Sequence, residues 1–397
     1  NDYSAGISQL LPSGGKLEVK TSLSRFISNI NNQTTPRPPG LLDNRSQFGF
    51  TLTQPLARDA GKEVTSARLN VAKLDASAAE LTARDTETSV VAEATIYYHE
   101  LTFAQYRVQA AQERIRNAQR LLQEAQAMKR GGRLPDTDVW EVENALGRYQ
   151  AGLGEALQQE REKTNRLRTM LMTVSANDPR SLRTTDALPE VGLTQISQED
   201  SLRTALERRD DFLMRKVQVE REGVQVSYSK NQMLPRVDLV TGYGVGALEY
   251  SYRKALTASN AVDYPTWSVG LQLSFPLGPN RQAKADVEAA VVRREDAMLA
   301  LEALQVQITN DIDTSLAMLQ SSAENWQLWK DVHEREKKQL EAERRKFSGG
   351  RSDTREVLLR EERVINSMLN VREQQLAHAR AQVMLQSAQG TLLDRFR

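Results

Sequence analysis

The sequence predicts a mainly α protein with membrane β-strands, built from two internal structural repeats. Three observations carry that reading. Long heptad-patterned stretches end at two glycine-containing turns, RGGRLPDTDV at 130–139 and SGGRSDTREV at 348–357. Stretches of period two precede each of them, within 3–56 and 237–275. The turns and the helices leading into them also align without an insertion. Gly132 falls on Gly350, Arg133 on Arg351, Val139 on Val357 and, far upstream, Ala67-Arg68-Leu69 on Ala285-Asp286-Val287. Two copies of one supersecondary unit require that.

Composition narrows the class. The chain has 397 residues, 26% of them charged, with a net charge of +1. Its mean hydropathy of −0.55 argues against several conventional cores and for an elongated protein. Charges of opposite sign are interleaved, as on solvated helix faces, and no basic patch points to nucleic acid. Cysteine is absent, which removes disulfides, thiolate metal sites and cysteine nucleophiles. His99, His333 and His378 have no ligand partner at a metal spacing and read as polar helix positions. No glycine-rich phosphate loop follows a strand, and the carboxylates alternate with Lys and Arg on helix faces, so no enzyme, cofactor or metal is expected. No run approaches the roughly 18 apolar residues of a membrane helix, so a crossing of the bilayer must be made as a barrel. The chain begins at Asn1 without Met or signal peptide, which predicts that a segment before it is removed or lies outside this sequence.

The strands come first in each half. Leu17, Val19, Thr21 and Leu23 alternate with Glu18, Lys20, Ser22 and Ser24, and Phe48, Phe50 and Leu52 with Gln47, Gly49, Thr51 and Thr53. One apolar face at period two is the strand signal. Tyr3, Ala5 and Ile7 form a similar face before the PSGG turn at 12–15, and a polar Asn, Thr and Pro loop between Ile27 and Arg45 reads as an exposed cap. In the second half Val237, Leu239, Thr241, Tyr243 and Val245 alternate with Asp238, Val240 and three glycines. Trp267, Val269, Leu271, Leu273 and Phe275 then alternate with small or uncharged residues. Phe48, Phe50, Leu52, Trp267, Val269, Leu271, Leu273 and Phe275 are the lipid-facing candidates, since a barrel strand turns an apolar face with aromatic ends to lipid and a polar one to its lumen.

The helices follow. From about Gly61 to Arg130, Leu101, Val108, Ile115 and Leu122 recur every seventh residue, with Ala104, Ala111, Ala118 and Ala125 three positions on. That is a coiled-coil seam whose small residues let helices approach. The run 67–130 spans roughly 95 Å at 1.5 Å per residue. A return helix covers about 136–172, with Val142, Tyr149 and Ala156 on its seam. Residues 173–198 lose periodicity, and a single helix is expected over about 199–231. TQPL (53–56) and SFPL (274–277) end the two strand sets. The second long helix covers about 281–347 and its return helix 353–389, with Leu369, Leu376 and Val383 on the seam. Asp136 and Asp353 read as helix caps, Asp353 with Glu356 as a capping box.

Five strands are thus expected in this sequence, with a sixth implied upstream if 3–11 lies in the barrel; the alternative leaves 3–11 outside and four strands. Neither number closes a channel, since about eight strands only just fill their interior. The wall must be shared between chains as a ring-shaped homo-oligomer.

At this point the chain resembles the TolC-like outer membrane factor family over essentially its whole length. The most specific matches are GRLPDTDV and GRSDTREV, the stretch RRDDFLMRKVQVEREGVQVSYSKNQMLPRVDL at 208–239, and the TQPL and SFPL exits. The resemblance implies a homotrimer whose outer-membrane β-barrel is continued by a long periplasmic α-helical barrel. Its parts would be outer-membrane strands at 1–56, a periplasmic hairpin at 57–172, a linker and equatorial helical region at 173–233, a second β-hairpin at 234–278, and a second periplasmic hairpin with the equatorial C-terminus at 279–397. It further implies an exit duct of a tripartite efflux or type I secretion system in the outer membrane of a Gram-negative-type bacterium. The partners would be a periplasmic adaptor (membrane fusion) protein, an inner-membrane pump and outer-membrane lipid, with the cargo (drug, metal or polypeptide) left open. The adaptor-docking and gate positions carried over are Gly132, Arg133, Leu134, Asp136, Thr137, Asp138 and Val139, then Gly350, Arg351, Ser352, Asp353, Thr354, Arg355, Glu356 and Val357. Pairing of Asp136 or Asp138 with Arg351 or Arg355 of a neighbouring hairpin would hold the closed state. Glu356 matches one carboxylate-ring position of the family, whereas a turn later the chain has Leu359 and Arg360, with no second acidic ring. The competing class is a trimeric coiled-coil tether or adhesin stalk without transport, which explains the heptads but not the duplication in register.

Overall fold

The period-two stretches pair into one sheet. In the computed structural model, which describes residues 2–26, 43–171, 182–192, 196–249, 251–258 and 265–396, five strands form an antiparallel meander in sequence order. They are β1 (Asp2–Leu10), β2 (Lys16–Phe26), β3 (Asp43–Pro55), β4 (Arg236–Glu249) and β5 (Pro265–Ser274). β1 pairs with β2 from Asp2↔Ser24 to Leu10↔Lys16, so the reading that leaves 3–11 outside the sheet does not hold. Most of the polar loop between Ile27 and Arg45 lies outside the described residues, as does part of 173–198.

Register sorts the side chains. Thr21, Phe48 and Val245 share one cross-strand row, Val19, Phe50, Tyr243 and Trp267 the next, and Leu17, Leu52, Thr241 and Val269 the one after. Directly opposed residues point to the same side of a sheet, so these rows make one apolar face. The other carries Ser22, Gln47 and Gly246, then Lys20, Gly49 and Gly244, then Glu18, Thr51, Gly242 and Ser268.

The TQPL exit is tied to the segment that precedes β4. Leu56 donates its backbone N–H to Val237 and Arg58 to Pro235. The Asn231 side chain accepts from the Asp59 N–H at 2.8 Å and donates to the Ala57 carbonyl at 3.3 Å, and Gln232 donates to the Asp59 carboxylate at 2.7 Å. This satisfies backbone groups that leave the ladder where Pro55 ends it.

The helices are α1 (Lys62–Thr65), α2 (Ala67–Arg130), α3 (Asp136–Met170), α4 (Gln198–Arg208), α5 (Asp210–Gln232), α6 (Tyr252–Ala258), α7 (Arg281–Ser348) and α8 (Thr354–Ala388), followed by a 3-10 turn at Leu392–Arg395. The single helix expected over 199–231 is in fact two. Arg209 is extended (φ −66, ψ 120) between α4 and α5, with its guanidinium held by Asp211 at 2.8 Å and by Asp311 of α7 at 3.2 Å. Those two carboxylates offset the burial of the cation. α6, between β4 and β5, carries no amphipathic signal of its own; its Ala255 is buried and accepts a hydrogen bond from Ser46 of β3.

The chain divides into two compact units, Asn1–Glu80 with Met214–Leu301 and Leu81–Leu213 with Glu302–Arg397. The first contains the sheet. The second contains α3, α4, α8 and most of α2 and α7. There the expected seams are largely buried: Leu101, Ala104, Val108, Ala118 and Ala125 of α2, Val142 and Ala156 of α3, Leu376 and Val383 of α8. Although α3 and α8 each have 35 residues, α8 buries fourteen of them and α3 six, so α8 is the interior return helix. The three histidines lie in helices, and two of them are buried. His378 is 1% exposed and His99 9%, each taken up by helix packing.

Candidate functional sites at the helix tips and the sheet face

The two tips are built alike, atom for atom along the backbone. At the end of α2, Gly132 donates to Lys129 and Arg133 to Met128; at the end of α7, Gly350 donates to Phe347 and Arg351 to Lys346. Each is a Schellman motif, in which the residue past the helix turns left-handed to satisfy the last carbonyls. Gly132 has φ 67 and Gly350 φ 70. Element ends keep step as well. α3 starts at Asp136 and ends at Met170, α8 starts at Thr354 and ends at Ala388, each 218 residues apart, the spacing of Gly132 and Gly350.

Beyond the glycines the tips differ. Asp353 caps α8, its Oδ1 accepting from the Glu356 N–H at 2.8 Å. The Glu356 side chain does not complete a capping box; it pairs with Arg360 at 2.9 Å. Asp136 is not a cap. Pro135 occupies the N-cap position without a side-chain bond, because its fixed φ suits a helix entrance, and Asp136 pairs instead with Lys129 at 2.7 Å. Ser352 donates to Glu343 of α7, and this hydroxyl, with Lys346, holds the Glu343 carboxyl below the usual carboxylate range.

The tip positions fall into two groups. Val139, Thr354 and Val357 are buried. Val357 joins a small core with Leu121, Val142, Ala145, Phe347 and Leu358, on which Leu134 packs, and the Thr354 hydroxyl donates to the Asp138 carbonyl at 3.2 Å. These residues bind the two hairpins of one chain to each other. Gly132, Arg133, Asp136, Thr137, Gly350, Arg351, Asp353 and Arg355 are exposed; Leu134, Asp138, Ser352 and Glu356 are half-buried. The closest carboxylate to Arg355 is that of Glu141, at 3.9 Å. Beside the tips a cavity of about 360 Å³ opens, lined in part by Asn117, Arg120, Met128, Arg344, Phe347 and Glu361. Its lining was not legible in the sequence, since it comes from three helix flanks and no local motif. Trp140, 57% exposed at the start of α3, stands where α8 has the buried Leu358. Comparing the two hairpins position by position would have singled it out.

On the sheet, Phe48, Phe50, Leu52, Trp267, Val269, Leu271 and Leu273 all lie on the apolar face, with Phe275 just past β5. Trp267 is 74% exposed and the Phe50 and Tyr243 rings stack at 5.6 Å. So large a bare apolar surface calls for a covering. Among the described residues no helix is long and apolar enough to cross a membrane.

A meander with one apolar and one polar face, carried on a chain of paired long helices with matched tips, defines the class of outer-membrane channel folds. Residues 201–391 match the outer membrane efflux protein family, and the resemblance read from the tip and exit motifs stands. Among curated proteins none matches by sequence. Solved structures match along nearly the whole chain. The outer membrane protein VceC from Vibrio cholerae aligns with TM-score 0.69 at 15% identity, over 96% of this chain and 87% of that one. The open state of the Neisseria gonorrhoeae MtrE outer membrane channel aligns with TM-score 0.67 at 15% identity, over 99% and 81%. The Campylobacter jejuni CmeC outer membrane channel gives TM-score 0.64 at 14% identity, over 99% and 78%. At such identities the likeness is one of fold.

Proposed function

We propose that this chain is an efflux channel of the outer membrane, working as a homotrimer that forms the exit duct of a tripartite efflux or type I secretion system. The observation that carries the reading is the sheet. Its apolar face exposes Tyr3, Ile7, Val19, Phe48, Phe50, Tyr243 and Trp267, its opposite face is glycine-rich and polar, and its edge strands β1 and β5 have no partner among the described residues. Five strands cannot enclose a channel, and free strand edges call for strands of another copy. Three copies joined edge to edge form a barrel with lipid outside and water inside.

The two hairpins, read as internal repeats, then form the periplasmic helical barrel with the corresponding hairpins of the other copies. The division into strands at 1–56 and 234–278, hairpins at 57–172 and 279–397, and an equatorial linker at 173–233 follows the same plan. The tips form the periplasmic gate and the surface on which an adaptor protein docks, handing over substrate from an inner-membrane pump. Because Asp136 is engaged by Lys129, Asp138 is the carboxylate left to meet Arg351 or Arg355 of an adjacent copy in the closed state.

Purified in detergent and added to a planar lipid bilayer, the protein is expected to have the mass of three chains and to conduct ions in discrete steps. A trimer that never conducts is the outcome expected of a tether or stalk and rejects the duct. A monomer rejects the shared barrel.

A further inference from the structure

One cross-strand row on the polar face of the sheet is unlike the others. It runs Gly6, Lys20, Gly49, Gly244, Thr266 across all five strands. A Cβ at Gly49 would stand 2.8 Å from the Tyr243 carbonyl oxygen, and one at Gly244 3.1 Å from that of Phe48, so β3 and β4 come together too closely there to accept side chains easily. The floor beside Lys20 is bare backbone. Its four-carbon stem therefore meets no side chain on the strand positions directly opposite it.

The charge balance isolates the same residue. In the four central rows of this face, from Ser4 to Leu10 on β1, the other described charges are Lys16 and Glu18, which pair with each other. Towards the helices Arg236 pairs with Asp238 at 2.7 Å. Towards the opposite rim Asp2 and Arg45 share one row with Ser24 between them, opposite in sign. Lys20 is exposed and makes no ion pair or hydrogen bond among the described residues, and its charge reaches Glu18 only through space, more weakly than that of Lys16 does.

We propose that Lys20 sets the charge selectivity of the duct: one Lys20 from each copy forms a ring of fixed positive charge midway along the barrel, which favours anionic solutes over cationic ones. The inference rests on the reading of the polar face as the lumen of a shared barrel. A ring of like charges in a water-filled passage with low-dielectric walls concentrates counter-ions and repels co-ions. The effect reaches about 30 Å at 0.01 M salt and only ~10 Å at 0.1 M, so it is strongest in dilute electrolyte.

The test is the reversal potential of the reconstituted full chain in a dilute KCl gradient. The unaltered protein is expected to show the sign of chloride preference. Lys20→Gln should move the potential towards zero, and Lys20→Glu beyond it to the sign of potassium preference. Because the chain has no cysteine, Lys20→Cys offers a single thiol in an already assembled channel. A cationic methanethiosulfonate should restore chloride preference and an anionic one invert it. A conducting channel whose reversal potential is the same before and after these changes overturns the role of Lys20 while leaving the duct intact. Absence of conductance in the unaltered protein overturns the duct itself, and the selectivity claim with it.

Discussion

Among the described residues three glycines end helices with left-handed backbone, and they are not equivalent. Around Gly132 and Gly350 a Cβ would meet nothing within 4 Å, so an alanine there suffers only the conformational penalty, about 1 to 2 kcal/mol for an L-residue held left-handed. Gly390 (φ 69) ends α8 against the α4–α5 junction, where a Cβ would lie 3.0 Å from the carbonyl carbon and oxygen of Arg208. Gly390→Ala is therefore expected to destabilise clearly more than Gly132→Ala, as read from denaturant midpoints in detergent. Equal midpoints would mean that the junction yields. The two aspartates at the tips separate in a similar way. Asp353→Ala removes a cap worth roughly 0.5 to 2 kcal/mol, whereas Asp136→Ala removes only an exposed pair with Lys129. The sequence places an Asp beside each turn; whether that Asp lies just before the helix or inside it depends on Pro135, which holds the N-cap position that Asp353 holds in the second tip.

At the scale of elements, α7 and α8 are cross-linked by two reciprocal histidine-serine contacts. His333 of α7 meets Ser367 of α8 at 3.0 Å, and Ser322 of α7 meets His378 of α8 at 3.2 Å, eleven residues along each helix. Each serine hydroxyl donates to its own helix, Ser367 to the Val364 carbonyl and Ser322 to the Leu319 carbonyl, so each accepts from a histidine Nδ1–H. His378 Nε2 in turn accepts from the Gln382 amide at 3.3 Å, which leaves the neutral ring fully satisfied. Burial lowers the pKa of both histidines; on His333 Lys337 acts in the same direction and Glu334 against it, and no charged side chain weighs on His378. A base with a depressed folded-state pKa contributes stability that is fully present above its unfolded value of about 6.5 and is lost as pH falls through that value towards the folded one. The α7–α8 pair is thus expected to loosen on acidification below about pH 6.5. In thermal melts between neutral and mildly acidic pH, a His333→Gln/His378→Gln protein should lose less stability than the parent. An identical acid sensitivity in both would show that the carboxylates account for it.

For the whole molecule, the gate proposed at the tips would have to be held by weak contacts between copies. Arg355 is 81% exposed in its side chain, and its contact with Glu141 is long, at 3.9 Å. Exposed pairs of this kind contribute roughly 0 to 1 kcal/mol each, so a ring of them sums to a barrier that a docking partner can offset. Arg351→Ala with Arg355→Ala is expected to raise the single-channel conductance of the reconstituted protein without changing its oligomeric mass. Unchanged conductance would reject the gate role of the tips.

Most elements were legible because they depend on local pattern. Period two set the five strands, period seven the α2 and α8 seams, and glycine at a helix end the two tips, whose boundaries match to the residue. The break at Arg209 was not legible, since it depends on carboxylates from two helices. The burial of His99 and His378 was not legible for the same reason: it is set by the facing helix, and His378 finds Ser322 across 56 positions of chain. Likewise Lys20 reads as one of several alternating polar residues until register sets glycines on both sides of it. The sequence by itself determined what each segment is, because periodicity and turn chemistry act within a few residues. Only the tertiary structure decided which charges remain unpaired and which polar groups are buried, because Coulomb forces and packing act between segments far apart in the chain.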